Sequence, residues 1–331
     1  MPHVSEIETP ALVVDLDILE RNLRRVAAYA GEHGLRLRPH TKTHKSILLA
    51  KRQLELGAVG LTVAKVSEAE VMLGAGPADL LVAFPIVGRA KLARLMEVAR
   101  RTRVTVALDS LAAARELSAA AREAQTEVGV LAEFDAGLGR VGVMPGEPLL
   151  ELARSIRQLP HLNFQGLTFY PGHIKDLGEA GRHALTQLSE LVGSIRADFE
   201  RAGVEVPIVS GGCAMEDCAA TILATVVSVA RPGHMILDGG SKTFSSDRPV
   251  NSAEVTFGHV VEAPAARFHK MNEEHGFVEL AGVEREFGVG DRVHVIPNHI
   301  CVAVNLHERA YGVRGDRVEE IWNVDARGKL Q

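Results

Sequence analysis

The sequence has no long run of one charge sign. Lysine and arginine number 37 against 42 aspartates and glutamates, a net charge of −5, so the counter-ion release that drives nucleic-acid binding has no source and no nucleic-acid partner is expected. Its apolar stretches are only strand-sized and its first residues, MPHVSEIETP, are acidic. Both features argue against a membrane span and a secretory signal, and they predict a cytoplasmic protein with no membrane partner. Cysteine is scarce: Cys213, Cys218 and Cys301 leave one over under any pairing, so a reducing compartment suits the chain better than a disulfide framework. No Gly-x-Gly-x-x-Gly follows the first strand candidate, which counts against a dinucleotide enzyme of the usual kind, because the pyrophosphate needs that close backbone approach. Internal repeats and low-complexity linkers are missing as well.

What is present is a core. With 46% hydrophobic residues over 331 positions, the chain is long enough for two domains, or for one large barrel with an appendage. From residue 11 to about 212, β-branched runs alternate with runs of helical period, the pattern of repeated βα units on a parallel sheet. Strands are predicted at Leu35–Lys42, Val59–Val66, Asp79–Phe84, Val104–Asp109, Val128–Asp135, Phe164–Tyr170 and Val206–Gly212. Helices are predicted at 15–33, 46–57, 67–76, 89–101, 110–125, 147–158 and 177–202, the third with Ser67 and Glu70 at capping-box spacing. Seven of each in alternation fit an α/β barrel of the (β/α)8 type with one strand still to be found. Beyond residue 220 the pattern changes to short extended runs: Thr221–Val229, Met235–Asp238, Ala253–Val260, Gly276–Leu280, Arg292–Ile296, Val302–Leu306, Arg309–Val313 and Val318–Val324. These predict a separate all-β domain.

Residues able to carry chemistry gather where those strands end, and in a barrel the C-terminal strand ends face the active site. The first ends in Arg38-Pro39-His40-Thr41-Lys42-Thr43-His44-Lys45, where neighbouring cations would lower the pKa of Lys42 and ready its amine for a Schiff base with a carbonyl cofactor. A solvated basic loop reads the same way. The fifth ends in Asp135-Ala136-Gly137-Leu138-Gly139-Arg140, whose glycines let the loop turn and present Arg140 to an anionic or phenolic oxygen. The sixth brings Tyr170 and His173 to the same end, and the seventh closes on Ser210-Gly211-Gly212, the sort of glycine turn that cradles a phosphate. Each of these could equally be an ordinary turn or a satisfied core residue. Far downstream, His299 and Cys301 stand two apart in an expected strand, which would turn both to one face, and imidazole with thiolate is a zinc-like ligand pair.

Thr9-Pro10-Ala11-Leu12-Val13-Val14-Asp15-Leu16, Arg38–Lys42, Ala64-Lys65-Val66-Ser67-Glu68-Ala69-Glu70, the Asp135–Gly142 turn, Ser210–Gly212 and Pro297-Asn298-His299-Ile300-Cys301 follow one another in an order that resembles the D-threonine aldolase and D-serine dehydratase family. The resemblance implies a barrel of the alanine-racemase type over 11–220 that binds pyridoxal 5'-phosphate (PLP). It also implies a β-rich, metal-binding domain over 221–331 together with residues 1–10. By position, Lys42 would be the Schiff-base lysine, Arg140 would bond the phenolic side of the cofactor, Tyr170 and His173 would lie beside cofactor or substrate, and Ser210, Gly211 and Gly212 would border the phosphate. His299 and Cys301 would hold a divalent metal, Zn or Mn, at the β-hydroxyl of a D-amino acid, in a homodimer.

The family offers two reactions. The His-x-Cys pair looks like the dehydratases, while Val304-Asn305-Leu306-His307-Glu308 and Ile321–Gly328 look more like the aldolases, and the aldolase is preferred. A racemase would leave the metal pair idle, and a non-catalytic PLP-binding protein would have no need of the hundred or so residues after the barrel. The chain departs from the family after Gly212. Cys213–Ala220 run at once into Thr221–Val229, where relatives carry roughly thirty more residues, a phosphate loop and the eighth barrel strand among them. Either Thr221–Val229 is drawn into the gap or the barrel stays incomplete, and PLP should then bind more weakly than in relatives.

Overall fold

The computed structural model describes residues 2–175, 178–212, 217–249 and 255–331. The chain forms two compact units, the first made of Met1–Ala58 and Glu216–Lys329, the second of Val59–Met215 and Leu330–Gln331.

The first unit opens with β1 (Ala11–Asp15) and α1 (Leu16–Glu32). Asp15 caps the helix, its Oδ1 accepting the Ile18 amide at 2.9 Å and so satisfying one of the donors that a helix start leaves free. Leu35–Lys42 is not the strand expected from its sequence: residues 35–39 are irregular, and 41–44 form a turn that leads into α2 (Ile47–Glu55). Pro39 has no amide to give a ladder, and His40 Nδ1 accepts the Lys42 amide at 3.2 Å, which holds the chain in the turn. The start of α2 is fixed from two sides, by Ser46 Oγ on the Leu49 amide and by Asp325 Oδ2 on the Ile47 amide at 2.7 Å.

The second unit is the βα alternation: β2 (Leu61–Val63), α3 (Val66–Met72), β3 (Asp79–Val82), α4 (Arg89–Ala99), β4 (Arg103–Leu108), α5 (Leu111–Glu123), β5 (Val128–Glu133), α6 (Glu147–Arg157), β6 (Leu162–Thr168), α7 (Glu179–Arg201) and β7 (Ile208–Ser210). The six strands form one parallel sheet in sequence order, a curled half-barrel. Strands β2, β3 and β5 are buried along their whole length, as a parallel sheet covered on both faces requires. Ser67 does not close the expected capping box. Its hydroxyl donates to the Gln331 carbonyl oxygen, α3 begins at Val66, and Glu70 instead pairs with Arg94. Among the described residues β2 and β7 each have one sheet neighbour, so the barrel stops at six strands.

Thr221–Val229 is not drawn into the gap. It forms β8 (Ala220–Ser228) of the first unit, which continues with β9 (His234–Leu237), α8 (Ser241–Phe244), β10 (Gly258–Val260), β11 (Arg267–Met271), β12 (Gly276–Glu279), β13 (Arg292–Pro297), α9 (Ile300–Leu306), β14 (Arg309–Arg314) and β15 (Arg317–Asn323). The sheet runs β11-β12-β9-β8-β1-β14-β15, with β13 pairing β8 and β10. Strand β1 lies antiparallel to β8 and parallel to β14, Val13 facing Thr221 and Tyr311. Residues 11–58, which a cut at residue 220 assigns to the barrel, therefore pack with the C-terminal sheet. That unit also carries α1, α2, α8 and α9, so it is mixed and not all-β. The run Val302–Leu306 is helical because a short apolar stretch satisfies either period, and here Ala303 and Val304 are the buried face. The polar strand β11, Arg-Phe-His-Lys-Met, carries no alternation strong enough to be read from sequence. It buries Phe268, which meets Phe244 edge-on at 5.1 Å in the core of this unit.

Candidate active site

In the first unit the Lys42 turn is held from both sides. The Lys45 amide donates to Thr41 O at 2.8 Å, and the Ala326 amide donates to Lys45 O at 2.9 Å. Lys45 is buried at a left-handed φ of 50°, whereas Lys42 is half-buried and so keeps access to a ligand. Beside it, Thr43 Oγ1 lies 3.1 Å from Cys301 Sγ, which brings the Lys42 turn and one candidate metal ligand together. His44 takes the Ser46 amide on Nδ1, so its proton sits on Nε2 facing Gln53, and burial pushes its pKa down to about 4.

His299 and Cys301 do not share a strand face as expected. His299 is the extended residue that precedes α9, and Cys301 lies in the first helical turn, where residues two apart diverge. His299 Nδ1 bonds Asp247 Oδ2 at 2.7 Å, which orients the ring and leaves Nε2 as its ligating atom. Asn298 fixes this segment by donating to Asp247 O and Thr256 O. Among the described residues no group of three or more His, Cys, Asp or Glu side chains could hold a metal, so the two donors form at most an open pair.

In the second unit the loop after β5 is bound at both ends. The Asp135 amide donates to Val143 O and the Val143 amide to Glu133 O, both at 3.0 Å, while the Gly142 amide donates to Asp109 Oδ2 at 3.0 Å. The Gly139 and Gly137 amides bond the Asp135 carboxylate and hold its pKa below the usual range, with His173 adding its charge. Gly142 must be glycine: its φ is 105°, and a Cβ there would fall 2.4 Å from the Phe134 carbonyl carbon. Arg140 stands 4.8 Å from the centroid of the Tyr170 ring, and a side chain on Gly137 would begin 3.3 Å from His173. Arg140 and Tyr170 thus meet, and His173 lies against the Gly137 end of the same loop. After Ser210 at the end of β7, a Cβ on Gly211 would strike the Phe169 ring at 2.5 Å, and Gly212 takes φ 125°, so a backbone without side chains follows this strand. The sequence reading missed four residues: Thr43, Asp109, Glu133 and Asp247. Glu133 had a visible signal, an acid closing a strand that is otherwise buried and apolar, whereas Asp247 in Ser-Ser-Asp-Arg-Pro had none.

Comparison with known proteins gives this arrangement a family. Residues 14–239 match the alanine racemase N-terminal domain, and residues 219–313 match the putative serine dehydratase domain. Over 98% of this chain and 93% of the relative, 33% of residues are identical to a 3-hydroxy-D-aspartate aldolase from Paracoccus denitrificans. A D-threonine aldolase from an Arthrobacter species is 32% identical over 98% of this chain and 94% of its own. The crystal structure of D-threonine aldolase from Filomicrobium marinum superposes with a TM-score of 0.91 at 30% identity, covering 99% of this chain and 97% of that one. Fold and relatives together define a PLP-dependent lyase. The chain belongs to the D-threonine aldolase and D-serine dehydratase family with its alanine-racemase-type domain.

The residues present fit PLP. The second unit offers a guanidinium over a tyrosine ring and a side-chain-free turn after β7, and the first offers a half-buried lysine. For a divalent metal the chain supplies two donors of suitable chemistry with a carboxylate behind one of them.

Proposed function

We propose that the protein is a lyase of β-hydroxy-D-amino acids of the D-threonine aldolase type, producing glycine and an aldehyde. The contact between Thr43 and Cys301 carries this reading, because it sets the lysine that would hold the cofactor beside a residue that would hold a Lewis acid. The two aldolases that share about a third of their residues with almost the whole chain support it.

In the reaction the β-hydroxyl gives up its proton, the Cα–Cβ bond breaks, the β-carbon leaves as an aldehyde and Cα regains a proton. PLP, when bound, supplies the sink for the electron pair left on Cα. Lys42 would anchor it, Arg140 would bond its phenolic oxygen, and Ser210, Gly211 and Gly212 would border its phosphate. Tyr170 and His173 would hold or move protons beside the substrate. His299 and Cys301 would hold a divalent ion, Zn or Mn, whose charge makes the β-hydroxyl more acidic.

A D-serine dehydratase type of reaction is the second reading. It is favoured by the D-threo-3-hydroxyaspartate dehydratase of Delftia, 27% identical with a TM-score of 0.87. Its solved mutants replace a histidine and a cysteine spaced as His299 and Cys301 are, the latter in a metal-free form. We further propose a cytoplasmic homodimer; no helix of the described residues is long and apolar enough to cross a membrane.

Purified protein with PLP and Mn or Zn is offered D-threonine and D-serine. Glycine with acetaldehyde is the expected outcome, and ammonia with a 2-oxo acid would replace the aldolase by the dehydratase. Chelation or His299→Ala should abolish turnover, added metal restoring only the chelated protein. Unchanged turnover in His299→Ala at saturating substrate would remove the metal from the mechanism.

A further inference from the structure

Hydrogen bonds from two distant segments of the first unit converge on the residues that follow β15, 324–328. Toward the Lys42 turn, the Asp325 carboxylate accepts the Ile47 amide at 2.7 Å, and the Ala326 amide donates to Lys45 O at 2.9 Å. Toward α9, the Gly328 amide donates to Asn305 Oδ1 at 2.9 Å and the Val324 amide to Glu308 O at 2.9 Å, while Arg327 donates to the Glu308 carboxylate at 2.8 Å. Asn305 and Cys301 stand at i+4 and i on α9, so they share one face of that helix, a turn apart. Cys301 meets Thr43 at 3.1 Å and Asn305 meets Gly328. That face is therefore joined to the Lys42 turn twice, directly through Thr43 and indirectly through 324–328.

On the side of the lysine, the bonds fall where the chain needs support. Lys45 takes a left-handed φ of 50°, which a residue with a Cβ keeps where its surroundings impose it, and its carbonyl oxygen is the one that Ala326 holds. Ile47 opens α2, where a helix leaves amides without partners of their own, and Asp325 accepts one of them. Two adjacent residues thus grip the chain on either side of Ser46. Lys42 lies just before this grip, and its amine sits at the end of a long side chain, so a small rotation of the turn moves the amine further than it moves the backbone.

We propose that Asp325 and Asn305 are positioning residues: through the bracket 324–328 they fasten the Lys42 turn to α9 and so set the reach from the lysine that anchors the cofactor to the cysteine that holds the metal. This rests on the reading of Lys42 and Cys301 given above. Neither Asp325 nor Asn305 touches a reacting atom in this scheme. Their effect is on geometry, since a cofactor shifted against the ion that acidifies the β-hydroxyl loses the alignment on which bond breaking depends. Loosening the bracket at α9 is therefore felt at Lys42.

PLP affinity of the whole protein is read from the visible absorbance of the bound cofactor. Asn305→Ala removes the acceptor for Gly328 on α9, far along the chain from Lys42, yet it should bind PLP about three- to tenfold more weakly than wild type. Asp325→Ala should lose as much. Asp325→Asn should recover most of the affinity, because an amide oxygen also accepts the Ile47 N–H. Hydrogen exchange read by mass spectrometry should be faster across 41–47 in Asn305→Ala than in wild type. Ile7→Val is the control for stability lost elsewhere in the same unit. It trims the separate core cluster of Ile7, Ala11, Val13 and Leu223, and should lower the melting temperature while PLP affinity and exchange across 41–47 stay as in wild type. Wild-type affinity in Asn305→Ala, or equal weakening in Ile7→Val, overturns the inference alone. Wild-type protein that takes up no PLP overturns the functional reading and this inference with it. Should Asp325→Ala not fold, Asn305→Ala decides by the same two readouts.

Discussion

His44 illustrates how a basic octet in the sequence separates into unlike side chains once folded. Its Nδ1 accepts the Ser46 amide and burial keeps it neutral, with a pKa lowered to about 4. The unfolded chain takes up a proton near the ordinary histidine value of 6.5 while the folded one does not, so stability is full above that value and falls as pH drops toward about 4. The melting temperature should decline across that window. His44→Asn, which keeps an acceptor for Ser46, should flatten the decline, and an unchanged slope would show that other groups cause it. Two residues before it, Lys42 should carry the cofactor: Lys42→Ala should lose the visible band after PLP is added, while Lys45→Ala should weaken folding instead, because Lys45 is buried. A borohydride-reduced adduct mapped to Lys45 would reverse the assignment. Lys42, Arg140 and His173 are candidates in the sequence because their types suit the chemistry. Thr43 and Asp247 carry no such signal, since each meets one partner more than fifty positions away, Cys301 and His299 respectively.

Elements were legible where periodicity was long and illegible where it was short. Six of the seven strands expected before residue 212 form the parallel sheet, and in β2, β3 and β5 an apolar run buried on both faces leaves little choice. Leu35–Lys42 failed at Pro39, and Val302–Leu306 failed because so short a stretch, four apolar residues around Asn305, fits a helix as well as a strand. The loop after β5 offers a test that separates backbone from side chain. Gly142→Ala places a Cβ 2.4 Å from the Phe134 carbonyl carbon at a φ of 105°, so backbone has to move, and urea unfolding should show a loss of about 2–4 kcal/mol. Gly139→Ala, also at positive φ but with open space around its Cβ, should lose only about 1 kcal/mol. Similar losses for both would mean that conformation alone, and not the close approach to Phe134, makes Gly142 necessary.

At the scale of the whole molecule, the Paracoccus aldolase aligns over 371 positions although this chain has 331 residues, so the relative carries segments with no counterpart here. A sheet that ends at β2 and β7 is consistent with that shortfall, and among the described residues it leaves without a strand partner ladder groups that a closed barrel would pair. PLP should therefore wash out on gel filtration, and the intact mass should correspond to 331 residues. A mass larger by about thirty residues, or cofactor retained through the column, would contradict this. Light scattering on the same column should give twice the mass of one chain. Strand β1 bears on how the molecule is made. It is apolar and buried, and it pairs with β8 on one side and β14 on the other, with Val13 facing Tyr311. During synthesis at about 5–20 residues per second, it waits on the order of 15–60 s after leaving the ribosome before its second neighbour exists. Val59–Met215, the bulk of the second unit, is complete within that interval, so the apolar stretch Ala11–Val14 stays without its final partner while the rest of the chain is made.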